Sequence, residues 1–368
     1  MPELIKNQYY NYNSLYDLSL RMKAVHPSFQ INQFISDILD ETWDALELKA
    51  RMRRIAVTIG NYLPMDYEQA LGIIDKVLEG FPVGYNDNAL IYFPDFVEVY
   101  GQDECHWDLS MAALERYTLY STAEFAVRPF IINHENRMMQ QMSSWARHDN
   151  EHVRRLASEG CRPALPWGQA LPNFKKNPYP VLSILEQLKT DPSLYVRKSV
   201  ANNLNDISKT HPDLVVELAK DWYGKHEYTD WILKHGCRTL LKKGNRDVMR
   251  IFRFADADCV NVDGFALGTP SVSIGEDMTF CFRIVAKREA LVRLEYGIDY
   301  VKTNGKRTRK TFQISEILLE ANQEKTYRKT HSFANLSSRN HNPGIHSITL
   351  IVNSVEWGTQ DFEVLAAK

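Results

Sequence analysis

The chain has 368 residues, 44% hydrophobic and 24% charged, with a formal net charge of -2 and a pI near 6.6. That length passes the ~250 to 300 residues at which a single core stops growing, so two domains are expected, and the apolar content excludes a disordered chain. A charge balance so close to zero excludes a chain-wide basic surface, so any contact with a polyanion must be local.

The first ten residues are polar, and no run of about 18 apolar residues occurs anywhere, so neither a signal peptide nor a membrane span is expected and the protein reads as soluble and cytoplasmic. Five cysteines, Cys105, Cys161, Cys237, Cys259 and Cys281, are odd in number and scattered without a Cys-x-x-Cys pair. They read as reduced, mostly buried thiols rather than a disulfide framework or a zinc site.

From Ser14 to about Arg253 apolar residues recur at helical spacing, as in Ile35, Ile38, Leu39, Trp43, Leu46 and again in Ala70, Ile73, Ile74, Val77, Leu78. Pro64, Pro82, Pro94, Pro172, Pro178, Pro180, Pro192 and Pro212 punctuate this stretch into helices joined by short loops. Within it, Asp149 to Ala157 (DNEHVRRLA) matches Asp191 to Ala201 (DPSLYVRKSVA), with the two Val-Arg pairs 43 positions apart. That is the period of a HEAT-like helical repeat, and a degenerate third copy runs from Ile232 to Leu240, where Leu233 replaces the arginine. Asp149 and the proline-flanked Asp191 start are expected to cap their helices. Stacked pairs build a solenoid whose inner face is expected to carry Arg154, Arg155, Arg197 and Lys198. On the repeat pattern alone this is a binding surface, and a protein-interaction scaffold is the first reading.

The periodicity changes from about Val260. Met278 to Val285, Leu291 to Tyr296, Thr311 to Ile314 and His346 to Val352 alternate or run apolar over strand lengths, as in an immunoglobulin-like β-sandwich of roughly one hundred residues. The expected division is 1–256 for the helical repeats and 257–368 for the sandwich. Between two of these strands, Tyr300 to Lys310 reads as a hairpin with an Asn304-Gly305 turn and basic residues Lys302, Lys306, Arg307, Arg309 and Lys310 around its tip. Such a tip either grips phosphates or is a charged edge that discourages aggregation.

Three further segments carry chemistry: Ser121 to Phe130 with Glu124 early in a helix, Leu156 to Gly168 with Glu159, Arg162 and Trp167, and Ser199 to Asp206 at the end of the second repeat helix. Each has a bland reading. Ser121-x-x-Glu124 is a capping box with Arg128 one turn on, Glu159 stands one turn after Arg155, Asp206 ends its helix with Asn202 and Asn205, and Trp167 fills a seam. His148 and His152 stand at i,i+4 spacing, but no third ligand completes a recognised metal site, and neither a glycine-rich phosphate loop nor a Gly-x-Ser-x-Gly elbow occurs.

Taken together, the string from Glu151 to Trp167 with Tyr195 to Asp206 resembles the AlkC-type alkylpurine DNA glycosylases of the HEAT-like repeat family, over about Ser14 to Arg253. The resemblance implies hydrolysis of the N-glycosidic bond of cationic bases such as N3-methyladenine and N3-methylcytosine, in duplex DNA during base excision repair, without swinging the base into a deep pocket. It implies a bacterial monomer that joins the nucleoid when bound to DNA and needs no cofactor, only water. By position, Glu124, Glu159 and Asp206 form the acidic cluster, Trp167 offers a π face to the cationic nucleotide, and Arg155 and Arg162 hold phosphates. Some relatives carry an immunoglobulin-like domain that assists DNA engagement, which favours Lys306, Arg307, Arg309 and Lys310 as contacts. Ala164 departs from a position that is basic in many relatives. The alternative is a non-catalytic HEAT-repeat binder of DNA structures that kept the fold and lost the reaction.

Overall fold

The computed structural model of the chain describes residues 5–82, 88–336 and 340–367. They group into two compact units, Met1–Thr210 with Gly224–Gly236, and His211–Tyr223 with Cys237–Lys368. None of the described helices is long and apolar enough to cross a membrane.

The helices run α1 (Ile5–Tyr9), α2 (Tyr12–Val25), α3 (Ile31–Ile38), α4 (Leu48–Asn61), α5 (Tyr67–Leu78), α6 (Tyr92–Tyr100), α7 (Trp107–Tyr117), α8 (Val127–Asn133), α9 (Glu135–Trp145), α10 (Glu151–Gly160), α11 (Pro172–Lys176), α12 (Tyr179–Leu188), α13 (Leu194–Ile207), α14 (Pro212–Trp222), which belongs to the second unit, and α15 (Glu227–Gly236). Prolines occupy first turns, where no backbone donor is lost: Pro172 in α11, Pro180 in α12, Pro212 in α14, and Pro94 within α6 itself.

The two repeat helices start alike, but not through the acids expected to cap them. Asn150 caps α10 by accepting from the His152 N–H at 2.8 Å, and Ser193 caps α13 by accepting from Tyr195 and Val196. Asp191 is instead buried and turned toward Arg154. The apolar stripe of α10, Val153, Leu156 and Ala157, is buried, as are Val196, Val200 and Leu204 of α13. The helices α10, α13 and α15 lie side by side, while α9 and α12 pack on α10 and α13 from the other layer, which is the stacked two-layer order of a HEAT-like solenoid. Each fully buried Val or Leu in these stripes contributes about 1.5 to 3 kcal/mol. Gly160 at the end of α10 allows a close approach to α8, since a Cβ there would stand 2.7 Å from Val127 Cγ2.

In the second unit α16 (Arg238–Lys242) and α17 (Arg246–Ile251) precede a sandwich of eight strands: β1 (Val260–Leu267), β2 (Ser271–Ser273), β3 (Asp277–Ala286), β4 (Ala290–Val301), β5 (Arg307–Leu319), β6 (Glu324–Ser332), β7 (Gly344–Val352) and β8 (Val355–Leu365). One sheet has the order β1-β3-β6 and the other β2-β8-β7-β4-β5. Alternate residues of β3, namely Met278, Phe280, Phe282 and Ile284, enter a shared core with Val292, Leu294, Ile298, Ile348 and Leu350. The expected hairpin is present, with Val301 paired to Arg307 and a turn closed by the Gly305 N–H donating to Lys302 O at 2.8 Å. Gly305 has φ +76°, which an L side chain adopts only at a cost. The chain is thus a mainly α protein, a HEAT-like solenoid followed by an immunoglobulin-like sandwich.

Candidate active site

Adjacent repeat helices bring together residues about forty positions apart, and this is what assembles the site. Arg155 and Glu159 project from α10, Ser199, Asn203 and Asp206 from α13, and Arg162 and Trp167 from the loop that leaves α10. Glu124 stands in the turn before α8, not inside a helix as expected, and its partner is not Arg128.

The charges form an alternating ladder. Arg155 bonds Glu124 and also Thr122 Oγ1 at 2.7 Å, and its other terminal nitrogen is 3.7 Å from Glu159 Oε1. Arg162 bonds Glu159 through Nη1 and Asp206 through Nε at 2.9 Å and Nη2 at 2.8 Å, and Lys209 closes the series on Asp206 at 2.9 Å. Each neighbouring pair of carboxylates therefore shares one guanidinium and lies within the ~10 Å that paired glycosidase carboxylates span. Glu159 Oε2 also accepts from Ser199 Oγ at 2.6 Å, and Asn203 donates to Ser158 O at 2.8 Å, which ties α13 to the turn of α10 that carries Glu159. Burial alone would lower the pKa of Arg155 and Arg162, but the facing carboxylates, Glu124 and Glu159 for the first and Glu159 and Asp206 for the second, outweigh it and raise both.

An open cleft of about 320 Å³ borders this ladder. Glu124, Glu159, Arg162 and Trp167 line it, while Asp206 stands behind Arg162 with its side chain only 2% exposed. The far wall is apolar and aromatic, from Ile5, Tyr9, Tyr10, Leu48, Met52 and Ile91. Trp167 is 70% exposed and holds φ +61°, a conformation that costs a side-chain-bearing residue of the order of 1 to 2 kcal/mol. Two cations brace that loop. Arg128, wholly buried, donates to the carbonyls of Gly160 and Arg162 at 2.9 Å each and to that of Gln169, and burial lowers its pKa to about 10. Lys49 of α4 donates to Trp167 O at 2.9 Å and sits 4.9 Å from the centre of the Phe125 ring. Burial pushes the Cys161 thiol up to about 12, so no thiolate nucleophile stands beside the cluster at neutral pH.

Several expected phosphate contacts have other work. Arg154 and Arg197 are repeat equivalents that act alike. Each donates to the two carbonyls of the loop before its own helix, His148 and Asp149 for Arg154, Asp191 and Pro192 for Arg197. Arg154 is also paired to Asp191 at 2.6 Å, and Arg197 lies 4.0 Å from the Tyr228 ring centre. Both are loop braces and not open cationic grips. Arg155 and Arg162 likewise face carboxylates. Lys198 is exposed, with no side-chain hydrogen bond or ion pair among the described residues. On the hairpin Lys306 is exposed, Arg307 bonds Ser347 Oγ at 2.7 Å, Lys310 lies 5.6 Å from the Phe312 ring, and Arg309 is neutralised by Asp299 at 2.8 Å and by Glu356. Sequence reasoning missed Lys49, Thr122 and Ser199. Only Ser199 left a signal, as a polar residue between the apolar Val196 and Val200 of the second repeat helix.

A family model described as "DNA alkylation repair enzyme" matches residues 114–240, and one described as the C-terminal Ig-like domain of the uncharacterised protein YhaZ matches residues 261–366. The uncharacterised protein YhaZ of Bacillus subtilis (strain 168) is 45% identical over 355 residues, covering 96% of this chain and 98% of its own length. Among solved structures, the Pseudomonas fluorescens alkylpurine DNA glycosylase AlkC, bound to DNA containing an abasic site analog, superposes with a TM-score of 0.92 at 33% identity, over 98% of this chain and 99% of that one. With solenoid and sandwich both matched along their length, the chain belongs to the AlkC-type family of DNA alkylation repair proteins with an immunoglobulin-like C-terminal domain.

Proposed function

We propose that this chain is a DNA glycosylase that hydrolyses the N-glycosidic bond of cationic alkylated bases, N3-methyladenine and N3-methylcytosine among them, acting as a monomer on duplex DNA. The observation that carries the reading is a carboxylate pair, Glu124 and Glu159, on the wall of an open cleft whose rim holds the exposed Trp167 ring. A positively charged base leaves readily as a neutral one, so the enzyme has to stabilise the oxocarbenium-like sugar and bring up water. The C1′–N bond breaks with its electrons going to the base, the water oxygen bonds C1′, and the water proton passes to a carboxylate of the cluster. Glu159 suits the base role, because Ser199 and Arg162 fix its orientation and one of its faces borders the cleft. Glu124 adds negative potential beside the sugar, Asp206 holds Arg162, and Trp167 lays its face on the cationic nucleotide. No cofactor enters this scheme. The cleft is open and Trp167 stands at its surface, which suits a lesion read at the duplex surface without deep extrusion of the base.

The test is incubation with duplex DNA containing N3-methyladenine or N3-methylcytosine. Abasic product formed above the spontaneous rate supports the reading. Tight binding of damaged or branched DNA with no base release selects the non-catalytic binder instead, and absence of DNA affinity at low salt selects the protein scaffold.

A further inference from the structure

The second unit has a basic cleft that the hairpin tip does not account for. The segment Lys242 to Arg253 holds five basic residues against one acidic, in a chain whose net charge is -2. Arg246 and Arg250 stand one turn apart on the same face of α17, and Lys243 follows the last residue of α16. All three line one cleft of about 480 Å³, facing the turn between β7 and β8. Their side chains are exposed and have no hydrogen bond or ion pair among the described residues, in contrast to Arg307 and Arg309 of the hairpin. The opposite wall is tied down by hydrogen bonds. Asn353 and Ser354 hold φ of +44° and +66°, and the Asn353 amide accepts from the Arg293 N–H at 2.7 Å and donates to Ala255 O at 2.7 Å. The Ser354 hydroxyl has no hydrogen-bond partner among the described residues. One carboxylate, that of Asp256, also lines the cleft.

We infer that this cleft is a phosphate-binding site for the sugar–phosphate backbone of duplex DNA away from the lesion. The inference rests on the DNA-binding part of the proposed function and not on base release. Unpaired guanidinium groups match phosphodiester oxygens as forked donors, and they require no internal ion pair to be broken first. A ligand held here is gripped without sequence preference, because only backbone oxygens are read. The positions of the cations also decide between the two basic features of this unit. The hairpin arginines are already committed to Asp299, Glu356 and Asp361, so the cleft at α17 is the stronger grip.

The experiment is a salt titration of binding to an undamaged, fluorescently labelled duplex, from about 50 to 300 mM salt. Three proteins are compared: wild type, the triple variant Lys243→Ala, Arg246→Ala, Arg250→Ala, and a control with the same charge loss on the same unit, Lys287→Ala, Lys325→Ala, Arg328→Ala. Removing one phosphate-binding cation flattens the plot of log affinity against log salt by about 0.9, so the triple variant is expected to be shallower by about 2 to 3 and the control to follow wild type. Single variants Arg246→Gln and Arg250→Gln, which keep a polar side chain on the helix, should each flatten the plot by about 0.9 and guard against misfolding of the triple. A slope unchanged from wild type, or a control that flattens as much as the triple, overturns the inference. Absence of base release from damaged DNA bears only on the proposed function, because undamaged duplex is the ligand here.

Discussion

Glu159→Gln separates chemistry from scaffolding, because it keeps the shape of the side chain and removes its charge. In the wild type that carboxylate accepts from Ser199 at 2.6 Å and from Arg162, with Arg155 3.7 Å away, in a side chain only 7% exposed. Hydrogen bonds to a charged partner are worth about 1.5 to 3 kcal/mol and neutral ones about 0.5 to 1.5, so the substitution should cost about 1 to 3 kcal/mol of stability. At about 2 to 4 °C per kcal/mol for a unit of this size, the unfolding midpoint should fall by roughly 2 to 12 °C and leave the protein folded at assay temperature. The cost in the transition state should be larger. Removal of one preorganised electrostatic group typically lowers the chemical rate by about 10² to 10³, or 2.7 to 4 kcal/mol. Duplex binding should be unchanged or slightly tighter, since a negative charge leaves the wall proposed to face DNA. The assay is single-turnover excision from an N3-methyladenine duplex at saturating enzyme, with anisotropy measured in parallel. Excision within roughly threefold of wild type, less than 1 kcal/mol, refutes the catalytic reading. Binding and excision falling together refute it as well, for then the side chain contributes only to affinity.

Arg162→Met should destabilise by about 3 to 5 kcal/mol, because it leaves buried Glu159 with only the more distant Arg155 as a cation and buried Asp206 with only the half-exposed Lys209; urea denaturation gives the value, and a loss below 1 kcal/mol would make the pair no better than a surface one. Lys49→Met removes the ammonium from the Trp167 carbonyl, and kcat/KM on lesion duplex should drop about tenfold, the worth of one charge-assisted hydrogen bond, with Lys49→Arg restoring part of it and stability barely changed. In the sandwich, His346 Nε2 donates to Asn342 O at 3.0 Å while its buried Nδ1 has no partner, and burial, with Arg307 adding, lowers its pKa below the ordinary value of about 6.5. A depressed histidine adds stability that is complete above about 6.5 and is lost as pH falls through its lower native value, so unfolding in urea should need less denaturant at pH 5 than at pH 7.5. His346→Phe should flatten that dependence.

The helical part and the sandwich were legible because both announce themselves by period, 3.6 in one and 2 in the other. Of the strands not singled out, β6 carries Tyr327 as its one large apolar residue, so its alternation had almost no apolar members from which to read a pattern. Local sequence offered a bland reading for each of Glu124, Glu159 and Asp206, and only the resemblance singled them out as a group, which the fold then joins through Arg155 and Arg162. What local sequence could not reveal was who faces whom. Arg128 is one turn from Glu124 in sequence, yet it reaches the last carbonyl of α10 and two carbonyls of the loop that follows, while Glu124 takes Arg155 from a different helix. Arg154 and Arg197 look like an exposed basic stripe when read as a string. Their forks instead fold back onto the carbonyls of the loop before their own helix.

The alternating ladder also has a meaning at long range. Three carboxylates, Glu124, Glu159 and Asp206, are interleaved with three cations, Arg155, Arg162 and Lys209. From beyond a Debye length of about 8 Å such an array is a multipole with almost no monopole field, so under the proposed function an incoming duplex would meet no electrostatic hill at the cleft. At contact distance the same carboxylates would be felt one at a time. Encounter and chemistry thus sample different moments of one charge distribution, and deleting a single cation of the series should slow association before it alters anything at the bond to be cleaved.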